Sequence, residues 1–81
     1  MSEKLKVLSG KDVVKLFERY GAVVKRVTGS HTRVFWSHKS NSISITIPLH
    51  NELKKGTLKS ITKDFEDCFG REAVRLEFYH E

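Results

Sequence analysis

The sequence has little of what disulfide-stabilised, membrane-spanning and metal-dependent proteins need. Its 81 residues contain one cysteine, Cys68, which has no partner for an intramolecular disulfide. No stretch has the apolar run of a signal peptide or the length of a membrane span. No Cys or His spacing resembles a zinc site, and the acidic residues form no early cluster suited to a pair of magnesium ions. We therefore expect a cytoplasmic protein that uses no metal, no small-molecule cofactor and no membrane.

Internal repeats, low-complexity segments and linkers are also absent. We therefore expect residues 1–81 to form one small domain. A domain of this size buries only roughly 60 to 65% of the surface that its unfolded chain exposes, so nearly every large apolar residue must serve the core. Few such residues are left to line a deep pocket.

The charge is unevenly distributed along the chain. Residues 1–63 carry thirteen basic and four acidic side chains, whereas residues 64–81 carry two basic and six acidic ones. A small domain with a net charge of +5 more often meets a polyanion than a neutral metabolite. The alternative explanation is a soluble surface that is rich in lysine. If a polyanion-binding face exists, we expect it to exclude the acidic tail at residues 64–81.

The hydrophobic pattern predicts an α+β fold, with a three-stranded antiparallel sheet packed on two helices. The predicted elements are a helix at 10–20, strands at 22–28, 31–36 and 42–47, and a second helix from Gly56 that Gly70 closes. Ser9 and Asp12 form a capping-box pattern before the first helix. The C-terminal extension from Arg71 fits either a short helix or an edge strand, and we favour the helix.

Strict alternation in the first strand assigns its side chains to two faces. It predicts Val23, Lys25 and Val27 on one face of the sheet. It predicts Val24 and Arg26 on the other face.

The hairpin between the first two strands presents a histidine. Gly29 and Ser30 predict a tight turn that places His31 at the start of the second strand, on the same face as Arg33. An imidazole beside a guanidinium group is what a phosphate-handling surface needs. The alternative is that both are ordinary polar residues on the open face of a half-buried sheet.

The segment between the third strand and the second helix adds a second histidine and several lysines. Unpaired amide groups and the helix dipole favour an anion at a helix N-terminus. Lys54, Lys55 and Lys59 surround or follow that terminus, so we predict that they bind phosphate groups, as Arg33 does. His50 is a candidate for a complementary catalytic acid, or alternatively a loop residue that makes a local hydrogen bond.

These motifs resemble the HicA (YcfA-like) toxin family in order and spacing over residues 9–63. The resemblance rests on Ser9 to Leu16, Gly21, Gly29-Ser30-His31, Ile47 to His50, Glu52 to Leu58, and Ile61. It implies an α-β-β-β-α fold like that of a double-stranded-RNA-binding domain, followed here by an acidic extension at 64–81. It also implies a toxin that cleaves mRNA and that a HicB-type antitoxin neutralises. The catalytic histidine of the family corresponds to His31.

The chemistry of RNA cleavage is compatible with these residues. A base positioned on the ribose 2′-hydroxyl lets that oxygen attack the adjacent phosphorus without a metal ion. We therefore predict a metal-independent endoribonuclease in which His31 is the general base, or alternates between base and acid, while Arg33 and Lys55 stabilise the phosphate charge. Two alternatives remain: a non-catalytic module that binds double-stranded RNA, and an interaction protein whose sheet edge receives a partner strand.

Overall fold

The computed structural model describes residues 4–80, which form three helices and five strands. In chain order these are β1 (Lys4–Leu5), α1 (Gly10–Arg19), β2 (Val23–Thr28), β3 (His31–His38), β4 (Asn41–Pro48), α2 (Lys55–Phe69), α3 (Arg71–Phe78) and β5 (Tyr79–His80). The predicted α+β class and α-β-β-β-α order are confirmed, and the tail forms a helix as favoured. Residues 1–3 of the predicted single domain, and its last residue Glu81, lie outside the described residues.

Two tight turns build the main sheet, which has the order β2-β3-β4 with antiparallel neighbours. Gly29 and Ser30 connect β2 to β3, and Gly29 has the positive φ of 56° that such a turn needs at its first position. The register of the sheet places His31 opposite Thr28 on one side and opposite Pro48 on the other. The predicted histidine therefore lies at the end of the central strand.

The faces predicted for β2 are wrong because this strand contains a β-bulge. The pairing with β3 shifts between Val24 and Arg26, so Lys25 is an extra residue without an opposite partner. The bulge places Val24 and Val27 on the same face of the sheet, where strict alternation predicts opposite faces. Arg26 lies opposite Arg33 and joins the open face of the sheet.

The core lies between the other face of the sheet and the helices. Three buried phenylalanines dominate it, and the Phe65 ring makes edge-to-face contacts with Phe17 and with Phe78 at centroid distances of 5.0 Å. Val34 of β3 and Ile47 of β4 are among the buried residues that alternate with exposed ones along these strands. Because the helices cover only that face, the side chains of His31 and its neighbours stay accessible.

Side-chain hydrogen bonds fix both ends of α1. The predicted capping box is present: the Asp12 N–H donates to Ser9 Oγ at 3.0 Å, and the Ser9 N–H donates to the Asp12 carboxylate at 3.3 Å. At the other end, the Tyr20 hydroxyl donates to the Glu77 carboxylate at 2.9 Å. This hydrogen bond raises the pKa of Tyr20 and ties α3 to α1.

The segment before α1 links the tail of the chain to the loop after β4. Pairing of β1 with β5 forms a two-stranded antiparallel ribbon, and the Lys6 N–H donates to the Phe78 carbonyl at 2.8 Å. The Gly10 N–H donates to the His50 carbonyl at 2.9 Å. The short terminal ribbon and the His50 loop are therefore held by one continuous stretch of backbone.

Candidate functional site

A shallow depression of about 260 Å³ lies on the open face of the sheet around His31. All three strands contribute to it: its lining residues are Arg26, Thr28, His31, Arg33 and Thr46. These five side chains are exposed, and none of them is a carboxylate. Two guanidinium groups, an imidazole and two hydroxyls can attract and hydrogen-bond an anion such as a phosphate.

Neighbouring serines contact the two predicted residues of this depression. His31 Nδ1 lies 3.4 Å from Ser30 Oγ, and Arg33 donates to Ser44 Oγ at 3.1 Å. His31 Nε2 makes no hydrogen bond with the described part of the chain. One side of the imidazole is therefore held near the turn, while its outer nitrogen is free to exchange a proton with a ligand.

The sheet brings the second predicted histidine to the same end as His31. His31 is paired with Pro48, and the Leu49 N–H donates to the Ser30 carbonyl at 2.6 Å, which holds the start of the loop against the hairpin. His50 follows directly and is exposed. Its side chain does not line the His31 depression, so the two imidazoles are neighbours in the fold without forming one pocket.

The start of α2 lies beside this region and has no side-chain cap. Lys54 occupies the N-cap position, and no acidic residue is present in the first turn. The first amide groups of the helix, at its positive end, therefore lack the usual partners. A second depression of about 480 Å³ between this end and β4 is lined in part by Pro48, Gly56 and Thr57, and it shares Thr46 with the His31 depression.

The predicted lysines of α2 face a different direction. Lys55 and Lys59 line a third depression, of about 440 Å³, together with Lys4 and Tyr79. Neither lysine lines the His31 depression. Of the residues predicted to bind phosphate, the structure brings only Arg33 into one depression with His31.

Three residues that line the depression with His31, one arginine and two threonines, were not among the predicted site residues. Thr28 could have been found, because the residues that flank a two-residue hairpin turn are paired. Arg26 could not be found by alternation, because the bulge at Lys25 reverses its face.

Carboxylates and the single thiol lie further along α2. Burial raises the pKa of Asp64, which lines the far side of the second depression, and the neighbouring Asp67 adds to this effect. Burial also raises the pKa of the Cys68 thiol to about 11, with further contributions from Asp64 and Asp67. Because the thiolate is the nucleophilic form, Cys68 is a poor candidate for catalysis at neutral pH.

An apolar groove lies between α1 and β2. Val14, Val24, Val27 and Leu49 form its floor, and two lysines and one glutamate of α1 lie on its rim. Val27 is 62% exposed, which is unusual for an apolar residue on the helix-covered face of a sheet. Because β2 is an edge strand whose residues are all exposed, this side of the sheet has no covering element among residues 4–80.

Residues 4–80 contain neither a cluster of metal ligands nor a helix that could span a membrane. No group of three or more His, Cys, Asp and Glu residues within residues 4–80 is arranged to hold a metal ion. The helices in that range are too short or too polar to cross a bilayer.

Comparison with protein families gives one match. Residues 10–66 match the family described as the HicA toxin of bacterial toxin-antitoxin systems. No curated protein and no solved structure matches the chain. The matched range covers more than half of the 81 residues and includes α1, the whole main sheet and most of α2. This chain therefore belongs to the HicA toxin family.

Proposed function

We propose that this protein is the toxin of a HicA/HicB-type system and acts in the cytoplasm as a metal-independent endoribonuclease, an mRNA interferase. The observation that carries the proposal is the position of His31. Its imidazole is exposed on the open sheet face, in one depression with Arg26 and Arg33. An imidazole that can accept a proton beside two guanidinium cations supports cleavage of a phosphate ester, because that reaction needs both a base and charge stabilisation.

In the proposed reaction, His31 removes the proton of a ribose 2′-hydroxyl. The 2′-oxygen forms a bond to the adjacent phosphorus, and the bond from phosphorus to the 5′-oxygen breaks. The leaving 5′-oxygen receives a proton, either from the protonated His31 or from His50, the candidate complementary acid. Arg26 and Arg33 stabilise the additional negative charge on the phosphate. The products are a 2′,3′-cyclic phosphate and a 5′-hydroxyl.

Further basic groups bind the RNA outside the reacting phosphate. The uncapped start of α2, with Lys54 at the N-cap, adjoins the His31 depression through Thr46. Amide groups at a helix N-terminus bind phosphate oxygens well. We assign a neighbouring phosphate of the RNA to this position, and Lys55 and Lys59 to phosphates beyond it.

The first test is cleavage of labelled RNA in the presence of EDTA. We expect cleavage that EDTA does not inhibit and fragments that end in a 2′,3′-cyclic phosphate, because the attacking group is the substrate's own 2′-hydroxyl. An RNA with a single 2′-deoxy position at the cleavage site is the matched control and should resist cleavage there. Retardation of intact duplex RNA without any cleavage would instead support the non-catalytic binding module.

We also propose that the partner protein is a HicB-type antitoxin and that an acidic, extended segment of it adds to the free edge of β2. The edge strand has unpaired backbone groups and lies beside the apolar floor formed by Val24 and Val27. Lys11 and Lys15 outnumber Glu18 among the charged residues that line the groove, so its net positive charge complements an acidic segment. Since Arg26 belongs to the same strand, a segment bound there also reaches the His31 depression.

Replacing Val27 with aspartate should weaken the antitoxin complex by roughly a hundredfold, because it introduces a charge into the centre of the apolar contact. Titration calorimetry with a HicB-type antitoxin that binds the unsubstituted protein measures the effect. Val7→Asp is the matched control, since Val7 is 71% exposed and lies outside the groove. Equal losses in both variants, or no loss in Val27→Asp, would contradict this surface.

A further inference from the structure

The third depression of the surface is a cluster of positive charges without counter-ions. It is lined by Lys4, Lys55 and Lys59, together with Leu5 and Tyr79, and no carboxylate contributes to it. The ion pairs found in the described residues all involve arginine, so none of these three lysines is neutralised within residues 4–80. Electrostatic repulsion between neighbouring ammonium groups raises the free energy of the folded protein, and a bound anion offsets that repulsion.

The terminal ribbon of β1 and β5 contributes Lys4, Leu5 and Tyr79 to this depression. Lys4 is paired with His80, and Leu5 with Tyr79, so the backbone of the ribbon fixes where Lys4 lies. The ribbon is anchored because Phe78, the residue before β5, is fully buried. Both strands of the ribbon, and with them Lys4 and Tyr79, lie outside the range 10–66 that matches the family.

The three depressions are neighbours on the surface, and we call the line that joins them the path. The His31 depression and the one at the start of α2 share Thr46. The second depression includes Gly56, which directly follows Lys55 of the third. Residues four apart lie on one side of a helix, so Lys55 and Lys59 both line the depression beside the ribbon. Gly56 and Ser60, which are also four apart, line the depression beside β4.

We propose that this lysine cluster is a second RNA subsite, which binds phosphates of the same strand whose scissile bond lies at His31. The inference rests on the proposed ribonuclease function and extends it. The strand runs from His31 over Thr46 and the start of α2 to Lys55, Lys59 and Lys4. It gives this protein a longer RNA footprint than the family core alone would provide.

The test measures RNA affinity in the His31→Ala background, where cleavage does not interfere. Fluorescence anisotropy compares single-stranded RNAs of about twelve and about four nucleotides, lengths within the range that small binding domains occupy. The double variant Lys4→Gln/Lys59→Gln should bind the longer RNA roughly tenfold more weakly. The slope of log affinity against log salt concentration should also be shallower by about 1.4, since two phosphate contacts are lost and each contact on a single strand contributes about 0.7. The short RNA, which cannot span the path, should bind equally well to both proteins.

Lys39→Gln/Arg71→Gln is the matched control, because it removes the same charge from exposed positions outside the path and outside the antitoxin groove. An equal loss of affinity in this control would show a general charge effect and overturn the subsite. An unchanged affinity of Lys4→Gln/Lys59→Gln for the longer RNA would also overturn it. With His31 intact, the lysine double variant should raise KM for the longer RNA and leave kcat unchanged. Cleavage of RNA by the unsubstituted protein with no effect of the lysine variant would overturn the second subsite alone, whereas the absence of both cleavage and binding would overturn the proposed function.

Discussion

Replacement of His31 by alanine is expected to lower the rate of RNA cleavage by about a hundredfold to ten-thousandfold, the usual contribution of one positioned acid-base group. In the proposed mechanism the imidazole is the proton acceptor for the 2′-hydroxyl, and the depression around it has no carboxylate to replace it. Single-turnover cleavage of a labelled RNA measures the chemical step directly. RNA affinity should change little, because Arg26 and Arg33 remain in place.

His38→Ala is the matched control for this prediction. His38 lies on the same strand as His31, and it is also exposed, but it is at the opposite end, where its ring stacks against Trp36. Loss of His38 should leave cleavage within about twofold of the unsubstituted rate, as expected for a surface residue outside the site. Full activity of His31→Ala would remove the proposed mechanism, and an equal loss in both variants would indicate a structural rather than a chemical effect.

The electrostatic environment of His31 depends on a feature that local sequence patterns do not encode. Alternation in β3 predicts that His31 and Arg33 share a face, and the burial pattern of that strand confirms it. Arg26 reaches the same face only through the bulge at Lys25. A bulge depends on how two strands match along their whole length, including the contact of the Lys25 ammonium group with the Phe35 ring at 5.2 Å from its centre.

The elements themselves could be predicted where their periodicity is long. The helices at 10–20 and from residue 56, and the three strands, are close to the observed bounds because each has several apolar residues on one side. The ribbon of β1 and β5 could not be predicted, since two residues are too few to show alternation. Its pairing joins the two ends of the described chain and depends on the burial of Phe78.

The same limit applies to the lysines of α2. The sequence indicates that Lys55 and Lys59 lie near a helix start, and this is confirmed by the bounds of α2. Which neighbours they face is decided by contacts between distant parts of the chain, and these place them beside Lys4 and Tyr79. Local patterns therefore predict which groups could bind RNA, whereas the tertiary fold determines how those groups are divided among depressions.

Gly10→Ala should destabilise the protein by about 3 kcal/mol, a typical cost of forcing extra volume into a packed site. A Cβ atom at Gly10 would overlap the Pro48 carbonyl oxygen and would lie 2.8 Å from Leu49 Cα, and both contacts are with backbone that cannot rotate away. Relief requires α1 and the loop after β4 to separate, which breaks the hydrogen bond from the Gly10 N–H to the His50 carbonyl. Because small domains have only about 5 to 15 kcal/mol of stability in total, the loss is large.

Urea unfolding followed by circular dichroism measures the change, with Gly56→Ala as the matched control. Gly56 also lies in the first turn of a helix, and a Cβ atom there meets nothing within 4 Å. Alanine at that position should therefore stabilise the protein by about 0.5 to 1 kcal/mol, since it removes only the conformational freedom of glycine. The same helical preference acts at Gly10, so the difference between the two variants isolates the contact with the loop. Equal stabilities would show that α1 and the His50 loop are not packed as closely as the structure describes, and the position of His50 beside the His31 hairpin would lose its support.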